Sequence, residues 1–256
     1  SVPPNPYVFY LLPTFNDQAR ALVDFAAGKF GERPSRVAVI STDSEFDRDA
    51  LSGVQAQAKL YPMEIVAEQA YTRANFSAEK LVELMAQKKP DGIFFFGNAE
   101  QFTELTRAME AAKLNAALFS SVVMIGHGAF NAPASIAPQI FLAYPAALPG
   151  QDDFTEFVTV MQKSGVKLSS PAFQAVAYGA AKAFVEATKL SSRQLNRTTL
   201  VASLEQLRDF KTGVVPPLTF SPNRRIGASG CYIVGVDLSK KQYVPLGARL
   251  VPRDKK

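Results

Sequence analysis

The sequence predicts an α/β protein built on a mostly parallel sheet, and three observations carry that prediction. From Arg36 to about Tyr144, short β-rich runs alternate with amphipathic segments, the pattern of successive βαβ units. One run, Ile93-Phe-Phe-Phe96, is continuously apolar, as expected of a strand covered on both faces. Gly and Pro punctuate the joins: Lys89-Pro-Asp-Gly92 ends one helix and launches that apolar strand.

The elements follow in order. Val37-Ala-Val-Ile-Ser41 is the first strand, and Leu51, Val54 and Ala58 then mark one face of a helix. Glu64-Ile-Val-Ala67 is the second strand. Residues 76–85 form the next helix, with Ser77 and Lys80 making half a capping box. After the central strand come a helix over about 99–112, a strand over 117–123, a loop holding Gly126, Gly128 and Pro133, and a strand over 139–144. Beyond Pro145, Pro149 and Gly150 the texture changes to three helical segments, roughly 152–164, 171–190 and 198–207. Strand-like patches return at 218–220, 231–236 and 242–246, the last two joined by the turn Asp237-Leu-Ser-Lys-Lys241. No internal repeat interrupts the series.

A chain of 256 residues has room for one large domain or two modest ones. Hydrophobic residues at 47% and charged residues at 20% are ordinary for a packed globular protein. The net charge of +5 is concentrated at the end, where Lys240, Lys241, Arg249, Arg253, Lys255 and Lys256 face the single acid Asp254. The remainder holds 22 residues of each sign, and no basic stripe is interleaved with aromatics, so the tail reads as a solvated end and nucleic-acid binding is not expected. A single cysteine, Cys231, excludes an internal disulfide and a cysteine-based zinc site. No apolar run reaches the ~18 residues of a membrane span. The chain starts at Ser1 without a charged start and an apolar signal core, so a secreted form is expected to be already processed.

Catalytic constellations fail on specific residues. Gly126-His-Gly-Ala-Phe-Asn131 opens like a dinucleotide loop, but Asn131 stands where the third glycine belongs and no acid follows at the required distance. Asp43-Ser-Glu-Phe-Asp-Arg-Asp49 alternates acids as a calcium loop does, yet Arg48 takes the sharp-turn glycine position and Val54 that of the bidentate acid. His127 is the sole histidine, which removes two-His metal motifs, and no strained Gly-x-Ser-x-Gly turn exists to pair with it. Ser229 is a loop serine without a spacing argument, and Cys231 reads as a small buried hydrophobe. The expectation is a protein that is no enzyme and uses no cofactor or metal.

The order of elements and a series of segments resemble the type I periplasmic binding proteins for leucine, isoleucine and valine, the receptors of branched-chain amino-acid ABC transporters. The segments are Val8-Phe-Tyr-Leu-Leu-Pro-Thr-Phe-Asn-Asp-Gln18, Arg36-Val-Ala-Val-Ile40 with Phe46 at the aromatic position of the following loop, Phe76-Ser-Ala78, Pro90-Asp-Gly-Ile-Phe-Phe-Phe-Gly97, the helix Ala175-Val-Ala-Tyr-Gly-Ala-Ala-Lys-Ala-Phe184, and Phe210-Lys-Thr-Gly213 leading to Leu218-Thr-Phe-Ser221. The resemblance covers the whole chain and implies a two-lobed architecture with parallel Rossmann-like sheets. Residues 1–14 would be a crossover segment, 15–145 a complete ligand-binding lobe, 146–220 the returning helical part of a partial first lobe, and 221–256 C-terminal strands, a hairpin and the basic tail. The family's opening strand–helix units have no counterpart before the crossover, so the 171–190 helix is expected to expose apolar side chains.

Ligands of open α/β sheets lie outside the carboxyl ends of the strands. The expected contacts are therefore Ser41, Asp43, Ser44 and Phe46 after the first strand, Asn98 and Gln101 after the central one, and Ser120, Ser121, Val122 and His127 after the next. Any of these can equally serve as a capping or turn residue. Val122 stands where amino-acid binders of the family carry an acid for the ammonium group, which points to a ligand without one, such as an aromatic or aliphatic carboxylate. Hinges are expected near Leu12-Pro13, Tyr144-Pro145 and Phe220-Ser221. The implied role is capture of a small molecule, an amino acid or such a carboxylate, in the periplasm for a membrane permease, with the permease as the only link to the membrane. The ligand-sensing domain of a lactose-repressor-like regulator, or of a signalling receptor, stays open beside it.

Overall fold

Gly92-Ile-Phe-Phe-Phe96 is buried along its whole length, as its unbroken apolar run requires. It lies inside a seven-stranded sheet in a computed structural model that describes residues 5–31, 33, 35–148, 152–169, 171–191 and 195–254. In chain order the elements are α1 (Phe15–Phe30), β1 (Ser35–Thr42), α2 (Glu45–Ala58), β2 (Met63–Tyr71), α3 (Ala78–Lys88), β3 (Gly92–Phe96), α4 (Ala99–Ala111), β4 (Ala117–Ser121), α5 (Val122–Ile125), β5 (Ile140–Tyr144), α6 (Asp152–Lys163), α7 (Pro171–Leu190), α8 (Arg197–Leu204), β6 (Tyr232–Asp237) and β7 (Gln242–Pro245). The α/β class read from the sequence is the observed one.

The chain divides into two compact units at Pro13/Thr14, Tyr144/Pro145 and Gly230/Cys231. The unit comprising Thr14–Tyr144 and the residues from Cys231 onward holds the whole sheet, in the order β2-β1-β3-β4-β5-β6-β7. The first five strands run parallel, and β6 and β7 close the far edge as an antiparallel hairpin. Rings cross strand boundaries on one face: Phe94 stacks on Phe119 at 4.8 Å and Phe119 on Phe141 at 5.6 Å, with Phe25 of α1 against Phe141 at 5.4 Å. Such ring pairs add about 0.5–1.5 kcal/mol each beyond their buried area. Helix α1 packs on α2 at Gly53, where a Cβ would stand 2.5 Å from the Asn16 carbonyl oxygen. Asn16 fastens the crossing through its N–H to the Asp49 carboxylate at 2.9 Å and its side-chain amide to Ser52 at 2.8 Å.

Several expectations change here. Helix α1 is absent from the alternation that begins at Arg36; Thr14 caps it, and its small residues Ala19, Ala21 and Ala26 are fully buried beside Leu22 and Val23. Strand β2 runs on to Tyr71, four residues beyond the expected run, because it is an edge strand whose Glu68 and Gln69 break the apolar pattern. Strand β4 ends at Ser121, not 123, because the Ser121 hydroxyl accepts the Val123 N–H and starts α5. The 15–145 lobe is incomplete without residues 231–254, which supply the hairpin pairing with β5. The described end of the tail is also pinned: the Arg253 carbonyl accepts from Arg20 at 2.7 Å and from Gln57 at 3.0 Å, and its N–H donates to Asp24 at 2.8 Å. Pro149, Gly150, Lys255 and Lys256 lie outside the described residues.

The other unit carries α6, α7 and α8 around two apolar clusters, one holding Phe220, Leu218 and Leu207, the other Phe154, Phe157 and Val214. In place of the expected strand over 218–220, Leu218 makes an isolated bridge to Phe210, and Ser221 makes another to Arg224. Phe220 is 1% exposed and meets Phe9 edge-on at 5.1 Å, so the third passage between units falls at Gly230/Cys231 instead of the expected Phe220-Ser221, and residues 221–230 belong to this unit. Arg225 is buried over the Phe9 ring at 4.5 Å and pairs with Glu205 at 2.5 Å. Helix α7 exposes Phe173, Phe184, Val185 and Leu190, the apolar display expected of that helix.

Cys231 lies fully buried at the start of the hairpin, and burial, reinforced by the charge of Asp17, pushes its thiol from the ordinary 9.0 up to about 12. Because the folded value is the higher one, the stabilisation is complete below pH 9.0 and is lost as pH rises toward 12. Thiol reagents are therefore expected to label Cys231 only on unfolding. Urea midpoints are expected to fall above pH 9, and fast labelling of the native protein at pH 8 would contradict this burial.

Candidate functional site

Four loops of the sheet unit, with the start of α1, surround a concavity of about 570 Å³. They follow β1 (Thr42, Asp43, Ser44, Phe46, Asp47), β2 (Tyr71, Thr72, Arg73), β3 (Gly97, Asn98, Gln101) and β4 (Val123, Met124), and Phe15 completes the wall. The location follows from the strand order. Successive connections reverse direction where β1 lies between β2 and β3, and at such a switch point the loops part and leave a crevice outside the strand ends.

Helix capping consumes much of the polar chemistry in these loops. Ser44 caps α2 by accepting the Asp47 N–H at 3.1 Å, and Asn98 and Gln101 form a reciprocal capping box on α4, at 2.9 and 3.1 Å. The buried Asp47 carboxylate accepts from the Thr42 N–H at 3.3 Å and from the Thr42 hydroxyl. Asp43 is held by Arg48 at 2.7 Å. The Tyr71 hydroxyl donates to Gln101 Oε1 at 3.0 Å; burial, and then the Asp47 charge, push its ionisation above the ordinary phenol range, so it remains a donor at neutral pH. Gly97 permits this approach, since a Cβ there would sit 2.1 Å from the Tyr71 oxygen and 2.7 Å from Phe95 Cζ.

Phe46 is 66% exposed and meets Phe15 edge-on at 5.6 Å, so its ring stands at the mouth of the concavity and outside the core. Of the residues expected to contact a ligand, Asp43, Ser44, Phe46, Asn98 and Gln101 line this space together. Ser41, Ser120, Ser121, Val122 and His127 do not. Ser41 and Ser120 are buried in β1 and β4, Ser121 donates to Gln18 Oε1 at 2.7 Å, Val122 opens α5, and His127 is exposed on the next turn beside Phe130. Val123 and Met124 take the lining position expected of Val122 because α5 begins at that point. Tyr71, Thr72 and Arg73 were not expected, since the sequence pattern stops β2 four residues too early. Among the described residues, no group of three or more His, Cys, Asp or Glu could hold a metal ion.

A doubly wound α/β unit with a loop-lined crevice at its switch point defines the class of protein. A sequence profile of the family described as periplasmic binding protein matches residues 2–242, and the chain belongs to that family, in agreement with the resemblance to its type I members. No curated protein sequence matches the chain significantly. Among solved structures, a fatty acid ABC transporter substrate-binding protein from Thermomonospora curvata superposes with a TM-score of 0.79 at 17% identity, over 98% of this chain and 66% of that one. A branched-chain amino acid ABC transporter protein from Thermus thermophilus, with bound valine, gives 0.82 at 16% identity, over 98% and 69%. An ABC transporter substrate-binding protein from Aeropyrum pernix gives 0.77 at 19% identity, over 98% and 68%. The chain thus shares their fold and spans about two thirds of their length.

Gly97→Ala forces Tyr71 and Phe95 to move. It is expected to destabilise the protein by about 1–3 kcal/mol in urea unfolding. Adding Tyr71→Phe, which removes the nearest atom, is expected to restore part of the loss, and strict additivity of the two changes would contradict the contact.

Proposed function

We propose that this chain belongs to an extracytoplasmic substrate-binding protein of an ABC importer and that its sheet unit contacts a small molecule in the concavity outside β1, β2 and β3. The placement of that concavity at the switch point, in a chain of the periplasmic binding protein family, is the observation that carries the reading. The exposed ring of Phe46 offers the ligand a flat apolar surface, and Asp43, Ser44, Asn98 and Gln101 form the polar part of the wall. Capture without catalysis, delivery to a membrane permease and a periplasmic location belong to the same reading. The structural relatives support it through what their names record: one is described with fatty acid and another with valine.

Thermal unfolding of the purified chain with L-leucine, L-valine and octanoate tests the reading. A true ligand at a hundredfold excess over its Kd adds about 2.7 kcal/mol of stability. Phe46→Ala is expected to weaken that ligand by about 0.5–1.5 kcal/mol, the usual contribution of an aromatic contact. A ligand whose affinity is unchanged in Phe46→Ala, and in variants of Asn98 and Gln101, would place binding elsewhere and overturn this site.

A further inference from the structure

We propose that Arg73 holds an anionic group of the ligand, so that the concavity takes an organic acid with an apolar body and no ammonium group. This rests on the reading of the concavity as the ligand site. Three charged side chains line it, Asp43, Asp47 and Arg73, and only the arginine is unengaged. Asp43 is paired with Arg48 at 2.7 Å, and Asp47 is buried and bound to Thr42. Gln101 Oε1, the acceptor best placed for an ammonium, already receives the Asn98 N–H at 3.1 Å and the Tyr71 hydroxyl at 3.0 Å. Arg73 has no hydrogen bond, ion pair or ring contact among the described residues. It stands in a defined turn, in which the Thr72 N–H donates to Asn75 Oδ1 at 2.6 Å and the Asn75 N–H to the Thr72 carbonyl at 3.1 Å.

The apolar part of the wall is Phe15, Phe46, Val123 and Met124. A carboxylate placed on Arg73 gains charge-assisted, bidentate hydrogen bonds that an isosteric amide cannot match. An ammonium brought against the same wall finds both carboxylates already bonded, Asp43 to Arg48 and Asp47 to Thr42, and meets the like charge of Arg73. Selection therefore comes from two sides, attraction at Arg73 and exclusion elsewhere. The inference is independent of Val122, which faces no part of this space.

Calorimetric titration of the full chain with 3-phenylpropionate, 3-phenylpropanamide and L-phenylalanine separates these effects, because the three share one ring and chain and differ in charge. The acid is expected to bind at least tenfold tighter than either of the others. Arg73→Gln is expected to lower acid affinity at least tenfold and leave the amide unchanged, and Arg73→Lys to keep part of the difference. Arg73 is exposed and has no partner among the described residues, so these variants are expected to fold, and circular dichroism checks it. Equal binding of acid and amide, or an acid affinity that Arg73→Gln leaves intact, overturns the inference. Tight L-leucine or L-valine binding that is insensitive to Arg73→Gln also overturns it while the binding function stands. Failure of all five compounds to bind counts against both.

Discussion

The burial of β3 on both faces is the constraint on which the rest of the sheet unit depends. Alternate side chains of its Phe94-Phe-Phe96 run leave in opposite directions, Phe94 and Phe96 into the cluster beneath α1 and Phe95 toward α4. On the first face the ring stack through Phe119 and Phe141 ties three strands together. On the second, Phe95 lies parallel to Tyr71 at 6.3 Å and against Phe102 at 5.9 Å. The same strand that anchors the core therefore positions Tyr71, and through its hydroxyl Gln101, at the floor of the concavity.

Polar side chains at the carboxyl ends of these strands serve two masters. Helix starts leave backbone N–H groups without partners, and Ser44, Asn98 and Ser121 supply acceptors for them. That use ties the loops to the helices they start, and it also engages polar atoms that a ligand would otherwise meet free. Of the charged groups in the wall, Arg73 is the one without a partner among the described residues. Discrimination in such a site turns on which groups remain unpaired, a property that residue type alone does not reveal.

The parallel sheet, its central strand and most helices were legible in the sequence because each reports a local property, an apolar run or a 3.6-residue period. What was illegible depended on distant partners. The edge strand β2 carries Glu68 and Gln69 in its later half, so nothing in its pattern announces Tyr71 as buried or Arg73 as part of the site. The alanine-rich α1 hides among weakly apolar residues, and its identity rests on the cap at Thr14 and on packing against α2. Val122 and Val123 are indistinguishable by type, yet the cap at Ser121 turns one away and the other into the lining. Phe220 reads as a passage between units, but its burial against Phe9 holds it inside one.

The hairpin that completes the sheet has a further consequence for how the chain is made. Tyr144 of β5 and Tyr232 of β6 are direct cross-strand neighbours, so residues 145–230 of the other unit are inserted at what is topologically the turn of a β-hairpin. During synthesis β5 emerges with one edge unpaired, and its partner follows only after the inserted helices have left the ribosome. An open apolar edge that persists for so long is a template for pairing with another chain. Early, independent folding of the helical insertion would bring the two ends of the turn together and shorten the time that this edge stays exposed.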